Sequence, residues 1–343
     1  MPTDEYATAL AGELAVRFGE AGAWTADTLY FGGGTPSRLG ADLARVVDDM
    51  RARITLAGDA EVTVEANPDD VTDEAIAAWK SAGVNRLSIG AQSFNNGVLA
   101  WMHRTHDAAA IGHAVDAARR GGIENISLDL IFALPEGIDR SWTDDVARAL
   151  ELEPSHVSLY GLTIESHTPL GRWQVRGEVI ESPEEQYETE FLHAHEAMTA
   201  AGFEHYEVSN FGRPGMRSRH NSAYWTGAAY AGLGPSAHEF DGRRRRWNTA
   251  AYVDWLHRID ARQDPECEGE ELSSDNIIAE HVYLGLRTVN GLFLSGTEIA
   301  RVQPWIEAGW AQLRAPGHIQ LTALGWMRLD GLAADLTLVR SRY

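Results

Sequence analysis

Short, mostly apolar runs, each trailed by polar residues, recur at 28–31, 61–66, 86–91, 125–133, 156–164 and 205–209. Each is rich in Val, Ile, Leu, Tyr or Phe, and most are too continuously apolar for a half-exposed sheet, so they predict strands of a covered, parallel sheet. Between them the spacing changes to that of helices. Asp73 and Glu74 suit a helix start ahead of Ile76 and Trp79, with Gly83 as its stop. Trp142, Val146 and Leu150 succeed one another by four behind Ser141. Ser182-Pro183-Glu184-Glu185 reads as a capping box with proline at the first helical position. Behind it Tyr187, Phe191 and Met198 fall on one side, and Gly202 ends the helix. Strands alternating with helices make this an α/β chain, and six such units suit a partial (β/α)6 barrel, with a doubly wound sheet as the alternative.

The residues just past the strands favour the barrel. Gly33 and Gly34, Glu65 and Asn67, Gln92, Asp129, Thr163 and Glu165, and Ser209 and Asn210 stand at successive strand ends. Barrel active sites are built at the C-terminal ends of strands. One such residue is ordinary turn chemistry, but the series is not. After about residue 215 the pattern changes. Residues 216–262 form a loop-rich segment with many glycines and aromatics, and the acidic stretch 262–275 reads as a linker. Residues 273–343 place two or three short helices ahead of the β-prone His318-Ile319-Gln320-Leu321, the order of a small, mostly helical winged-helix-like domain. The expected organisation is therefore a barrel over 1–215, the loop-rich segment, and the C-terminal domain.

Composition narrows the partners. At 44% hydrophobic and 23% charged residues the 343-residue chain is that of a folded globular protein. A net charge of -21 disfavours nucleic acid, whose phosphates need a basic surface. Residues 273–343 hold six Arg against six acidic residues, so a lid or partner surface suits them better than DNA reading. The acidic start, Met1-Pro2-Thr3-Asp4-Glu5, has no signal-peptide core, and no run approaches the roughly 18 uncharged apolar residues of a membrane span. The expected location is the cytoplasm. The single cysteine, Cys267, excludes an intrachain disulfide and a multi-cysteine metal site, and with acidic neighbours on both sides it is assigned no function. Arg243 to Arg246 reads as a solvated basic turn.

A ligand lying across the strand ends meets groups of both signs. Gly32 to Thr35 offer bare carbonyls and amides, Glu65 and Asp129 are acceptors, Gln92 is an amide, and Arg104 can clamp a carboxylate at two points. This set suits a zwitterionic, sugar-bearing molecule better than a phosphate. Glu65 and Asp129 read equally as caps of neighbouring helices.

Five blocks occur in order: Gly32-Gly33-Gly34-Thr35-Pro36-Ser37, Glu65-Ala66-Asn67-Pro68, Ser88-Ile89-Gly90-Ala91-Gln92-Ser93-Phe94, Asp129-Leu130-Ile131-Phe132-Ala133-Leu134-Pro135 and Tyr206-Glu207-Val208-Ser209-Asn210-Phe211. Together they resemble the radical S-adenosylmethionine (SAM) family of oxygen-independent coproporphyrinogen III oxidase and its relatives, over nearly the whole chain. The resemblance implies a partial barrel with a C-terminal appendage. It also implies that Gly33, Gly34 and Thr35 cradle the methionyl end of S-adenosylmethionine while Glu65, Gln92, Arg104, Asp129 and Thr163 line the same site. A further block, His220-Asn221-Ser222-Ala223-Tyr224-Trp225, resembles the His-Asn-x-x-Tyr-Trp signature of the heme chaperone (HemW-like) branch, and Tyr230 to His238 also fits it. On that reading His220, Asn221, Tyr224 and Trp225 are heme-binding candidates, an imidazole for iron and flat faces for a porphyrin. Without the resemblance, His220 reads as a hydrogen-bonded loop histidine beside two core aromatics.

The chain departs from the family in one respect. The family holds a four-iron cluster on a Cys-x-x-x-Cys-x-x-Cys loop after its first barrel strand, and strand and loop precede the helix that begins here near Asp4. The expectation is a radical-SAM-type barrel missing its first strand, with a 4Fe-4S cluster only if an N-terminal cysteine segment exists, and with no radical catalysis from the chain as it stands. A start assigned inside a longer protein is favoured over a degenerate relative, because losing a central strand exposes unpaired backbone. The implied function is a heme chaperone, cytoplasmic or peripheral to a membrane, whose partners are heme or a porphyrin and a heme-acceptor protein. The alternative is coproporphyrinogen III oxidase itself, in porphyrin biosynthesis, and a third reading is a binding module that kept the SAM pocket without catalysis. No catalytic residue and no metal ligand is assigned.

Overall fold

The strands run in chain order as β1 Trp24–Phe31, β2 Ile54–Ala66, β3 Arg86–Gln92, β4 Asn125–Phe132, β5 His156–Gly161, β6 Glu204–Glu207, β7 Asn210–Gly212, β8 His238–Phe240, β9 Arg244–Asn248, β10 Glu266–Glu271, β11 Leu292–Phe293, β12 Ala311–Ala315 and β13 His318–Leu321. This is a computed structural model, and it describes residues 3–19 and 24–341, so Met1 and Pro2 of the acidic start lie outside the described residues. The chain divides into two compact units. The first comprises Met1–Val64, Ala77–Asn85 and Arg219–Tyr343, and the second Glu65–Ile76 and Arg86–Ser218.

Every apolar run singled out above carries a strand. In the second unit β3, β4 and β5 are parallel neighbours, and β7 and β6 come next in antiparallel pairing. The run 205–209 thus holds the end of β6 and the turn after it, and β7 begins at Asn210. Glu207 accepts hydrogen bonds from the Ser209 N–H and from Asn210 Nδ2, which closes the turn between them. The strands are less uniformly apolar than their composition suggests. Leu87, Ile89, Ile126, Leu128, Leu130, Val157 and Leu159 are almost wholly buried, each contributing about 1.5–3 kcal/mol on leaving water. Arg86, Ser88, Ser127, Asp129, His156, Ser158 and Tyr160 alternate with them, and a period of two puts these on the opposite face.

The helices Asp73–Ala82, Trp142–Glu151 and Glu184–Ala200 form where the spacing predicts them. Ser141 caps the second, accepting from the Asp144 N–H at 3.2 Å. The capping box at Ser182 does not form. Pro183 is extended (φ -64°, ψ 150°) and is itself the cap residue, so the helix begins one residue late and the Ser182 oxygen is left away from its first N–H groups. A buried ionic clasp holds the chain after β4. Arg140 meets Asp145 at 3.2 Å and Glu190 at 2.6 Å, all with nearly inaccessible side chains.

In the first unit β1 and β2 pair in parallel, with a register shift between Ala26 and Thr28 that lets both strands start earlier than the apolar runs imply. The helix Thr3–Phe18 supplies Ala7, Leu10 and Leu14 to a core shared with Val46, Trp255 and Ile259. The acidic stretch 262–275 is not a linker, and the four-arginine run is not a solvated turn. Each forms a strand, and β9 and β10 pair antiparallel so that their charges meet. Arg244 bonds Glu266, Arg245 bonds Glu280, and Arg246 bonds Asp264 and lies 3.2 Å from Glu266. Cross-strand opposite charges stabilise such a pair modestly, and they overcome the poor strand propensity of both segments. From Ser274 to Arg340 the helices Ser274–Arg287, Gly296–Glu307 and Leu329–Arg340 surround the small antiparallel sheet β11-β13-β12, the winged-helix-like arrangement expected.

Candidate functional site

Asp129 anchors a polar cluster on the second unit's sheet. Ser88 Oγ on β3 lies 3.0 Å from both of its carboxylate oxygens, and Ser127 Oγ lies 3.2 Å from Oδ1. Burial pushes the Asp129 carboxyl up to about 6, the nearby Glu65 pushes the same way, and the Ser88 and Ser158 hydroxyls and the Arg86 guanidinium pull it back. Tyr160, on the same face of β5, is raised by burial first and by Asp129 second. Arg86 is 1% exposed, and its Nε has no hydrogen-bond partner.

Behind Asp129 a second layer of polar groups runs inward. Ser127 Oγ is 2.8 Å from His156 Nδ1, and His156 Nε2 is 2.8 Å from the Tyr206 hydroxyl. The Ser218 N–H donates to that hydroxyl at 3.2 Å. His156 is fully buried, and burial together with Arg86 holds its pKa well below the usual histidine range. None of Ser127, His156 or Tyr206 stood out in the sequence as a site residue. Their signal was there in the alternation of polar residues inside β4 and β5, hidden by the apolar residues between them.

The structure brings some of the expected residues together. Glu65, at the end of β2, faces Asp129 and Tyr160 closely enough to raise both. Gln92 ends β3 with φ +65°, and its amide folds back over Gly90, where a Cβ would stand 3.0 Å from Nε2. Arg104 lies beyond the helix Asn96–Trp101; its half-buried guanidinium has no hydrogen-bond partner among the described residues, and burial lowers its pKa. Thr163 is exposed two residues beyond β5 and is not drawn into the Asp129 cluster by any described contact.

Gly33, Gly34 and Thr35 belong to the first unit, directly after β1. Gly33 and Gly34 adopt φ +73° and +102°, conformations open to glycine, and a Cβ on either would meet nothing within 4 Å. Thr35 starts the short helical turn Pro36–Leu39, its carbonyl accepting the Arg38 N–H at 3.1 Å.

His220, Asn221, Tyr224 and Trp225 lie together on the helix Arg219–Trp225 of the first unit. The Arg219 and His220 N–H groups donate to the Glu61 carboxylate, each at 3.0 Å. His220 stacks on Tyr30 with ring centroids 4.7 Å apart. Its Nδ1 is 2.8 Å from Thr28 Oγ1 and its Nε2 is 3.0 Å from the Tyr224 hydroxyl. Both ring nitrogens are therefore engaged, and an iron could reach Nε2 only after the Tyr224 bond is released. Burial pushes the Tyr224 phenol up to about 12, so it stays a neutral donor or acceptor. The Arg287 guanidinium covers one face of Trp225, 4.1 Å from the ring centroid. Thr28, Tyr30 and Glu61, far upstream in sequence, were missed as companions of this segment.

The donor set fits an S-adenosylmethionine-like molecule. In the second unit Arg104 is a cation for a carboxylate, and Glu65 and Asp129 are acceptors for hydroxyls or an amine. A four-iron cluster does not fit this chain. Cys267, its one cysteine, is exposed on β10, and among the described residues no group of three or more His, Cys, Asp or Glu is placed to hold a metal ion. No helix among the described residues is long and apolar enough to cross a membrane.

Comparison with known proteins bears on the family and the fold. Residues 11–149 match the family model of the Radical SAM superfamily. The chain is 34% identical over 293 residues to the heme chaperone HemW of Bacillus subtilis, covering 85% of this chain and 77% of that protein. It is 37% identical over 269 residues to the heme chaperone HemW of Synechocystis, covering 77% of this chain and 65% of that protein. Against the coproporphyrinogen III oxidase HemN of Escherichia coli, a radical SAM enzyme, the fold superposes with a TM-score of 0.81 at 22% identity, over 98% of this chain and 83% of that one. The strand and helix order above is thus that of a radical-SAM-type partial barrel with its C-terminal appendage.

Proposed function

Because this chain belongs to the HemW-like family of radical SAM proteins, we propose that it is a heme chaperone, binding heme and handing it to an acceptor protein. The observation that carries the reading is the 34–37% identity to proteins named heme chaperone along most of the chain. Likeness to the oxidase is a likeness of fold and does not favour that activity.

S-adenosylmethionine binds, on this reading, at Glu65, Gln92, Arg104, Asp129 and Thr163 of the second unit. Arg104 clamps its carboxylate, while Glu65 and Asp129 accept from its hydroxyls and amine. When paired with a four-iron cluster such a cofactor supplies radical chemistry; this chain has no ligand set for the cluster, and no radical step is assigned to it. Heme binds at the segment His220–Trp225, with His220 turning from Tyr224 toward iron and Tyr224 and Trp225 against the porphyrin. A peripheral site on a membrane or in the cytoplasm suits such a carrier equally.

Heme titration of the purified chain tests the proposal. Wild type should develop a Soret band that His220→Ala loses or shifts, and a wild type that takes up no heme would end the chaperone reading. Equilibrium dialysis with S-adenosylmethionine tests the second site. Glu65→Ala and Asp129→Ala should each weaken retention, and unchanged retention in both would remove these carboxylates from it.

A further inference from the structure

We propose that Tyr206, His156 and Ser127 form a positioning relay that turns one O–H toward Asp129 and thereby sets the protonation state in which this carboxyl meets its ligand. The role assigned to Asp129 in S-adenosylmethionine binding is the reading this rests on. The relay itself stands on the geometry of the buried hydrogen bonds.

His156 is completely buried, packed near the Arg86 guanidinium, and neutral. A neutral imidazole has one donor and one acceptor nitrogen, so the chain through it has two directions. In the first, the Tyr206 hydroxyl donates to Nε2, and Nδ1–H donates to Ser127 Oγ, each across 2.8 Å. The Ser127 hydrogen is then free to point at Asp129 Oδ1, 3.2 Å away. In the second, Ser127 donates to Nδ1 and Nε2–H donates to Tyr206. That turns the Ser127 hydrogen from Asp129 and sets two lone-pair oxygens against each other at 3.2 Å. The second arrangement is eased when Asp129 carries the missing hydrogen as a carboxylic acid; Ser158 Oγ, 3.3 Å from Ser127 Oγ, is the other hydroxyl in reach.

The direction of the relay and the ionisation of Asp129 are thus two sides of one equilibrium. The Ser218 N–H favours the first direction, since a backbone amide only donates and it occupies a lone pair of the Tyr206 oxygen at 3.2 Å. Around the carboxyl stand Glu65 from the end of β2, Ser88 and Arg86 from β3, and Ser158 and Tyr160 from β5, with Tyr160 in turn near Glu207 of β6. Of these, Glu65 opposes ionisation and Ser88, Ser158 and Arg86 favour it. The relay adds one more hydrogen bond to the charged form, from Ser127 and His156, which are themselves wholly buried.

The test reads Asp129 directly in the ligand-free chain, by carboxyl-stretch infrared titration with Asp129→Asn as the difference that assigns the band. Ser127→Ala should raise the midpoint by about one pH unit, a tenfold change in the ionisation constant. Tyr206→Phe should raise it by less, in the same direction. Ser127→Thr, which keeps the hydroxyl, should restore it. A purely structural role for these residues would lower the melting temperature and leave the midpoint alone. Midpoints equal to wild type in both Ser127→Ala and Tyr206→Phe overturn the relay. A second arm, S-adenosylmethionine retention against pH, should show Ser127→Ala weakened near neutrality and recovered at alkaline pH. If wild type retains none at any pH, the ligand reading fails, and the infrared midpoints still decide the relay.

Discussion

Acidification should destabilise this protein, and the share carried by His205 can be isolated. His205 on β6 is 6% exposed and stacks on Phe211 at 3.8 Å between ring centroids. Its Nε2 lies 3.2 Å from the Val208 carbonyl oxygen, which only accepts, so Nε2 carries the proton. Nδ1 must then accept from His195 Nδ1, 2.9 Å away. A second proton on His205 would oblige His195 to change tautomer, moving its own hydrogen from Nδ1 to Nε2. Burial, with His195 adding to it, pushes the His205 pKa down to about 3. The unfolded chain binds this proton near pH 6.5 and the folded chain does not, so stability is present at neutral pH and falls as pH drops below about 6.5, levelling off near 3. Between pH 7 and pH 5 this group alone removes about 2 kcal/mol, at ~1.4 kcal/mol per pH unit. Urea unfolding at both pH values, for wild type and His205→Phe, measures it. Phenylalanine keeps the stack and abolishes the titration, so the variant should be weaker at pH 7 yet lose about 2 kcal/mol less on acidification. His156 titrates identically in both proteins and cancels. Equal losses in the two would refute the reasoning.

Three further outcomes are expected. Arg140→Met should cost about 3 kcal/mol in urea unfolding, because the buried Asp145 and the part-buried Glu190 lose their cation while keeping their hydrogen bonds from Ser93, Phe94 and Ala133; Arg140→Met with Asp145→Asn should recover part of it. Arg104→Gln should weaken S-adenosylmethionine retention about tenfold by dialysis, the loss of one charge-assisted clamp, while the melting temperature barely moves. Tyr224→Phe releases His220 Nε2, so heme affinity by Soret titration should rise, opposite to the loss expected of His220→Ala.

The local periodicities carried most of the fold. Runs such as Leu87-Ser88-Ile89 and Ile126-Ser127-Leu128 announce strands from composition alone, because burial of one face dominates their character. The same dominance hid Ser127 and His156, whose importance lies in facing each other across neighbouring strands. β9 and β10 were misread for a related reason. An arginine run and a glutamate run each look solvated until the fold pairs them, and nothing within either window reveals the other. At the candidate site Glu65 and Gln92 stand where β2 and β3 end, as the barrel pattern predicts, whereas Asp129 lies inside β4, paired with Ser158, and not at a strand end. The setting of His220 was not legible, since Thr28, Tyr30 and Glu61 reach it only through the pairing of β1 with β2.

The acidic strand β10 has a consequence for how copies of this protein behave in concentrated solution. It lies at the outer rim of its sheet, next to β9 only, and carries Glu266, Glu268, Glu270 and Glu271 within six residues. Such a rim is a template on which a second molecule can add its own strand. Here a like rim arriving sideways brings charged side chains to strand spacing, Glu268 among them outside any described ion pair, and these oppose backbone pairing. That guard is electrical rather than steric, so it weakens as salt shortens the reach of charge, to about 10 Å at 0.1 M and about 3 Å at 1 M.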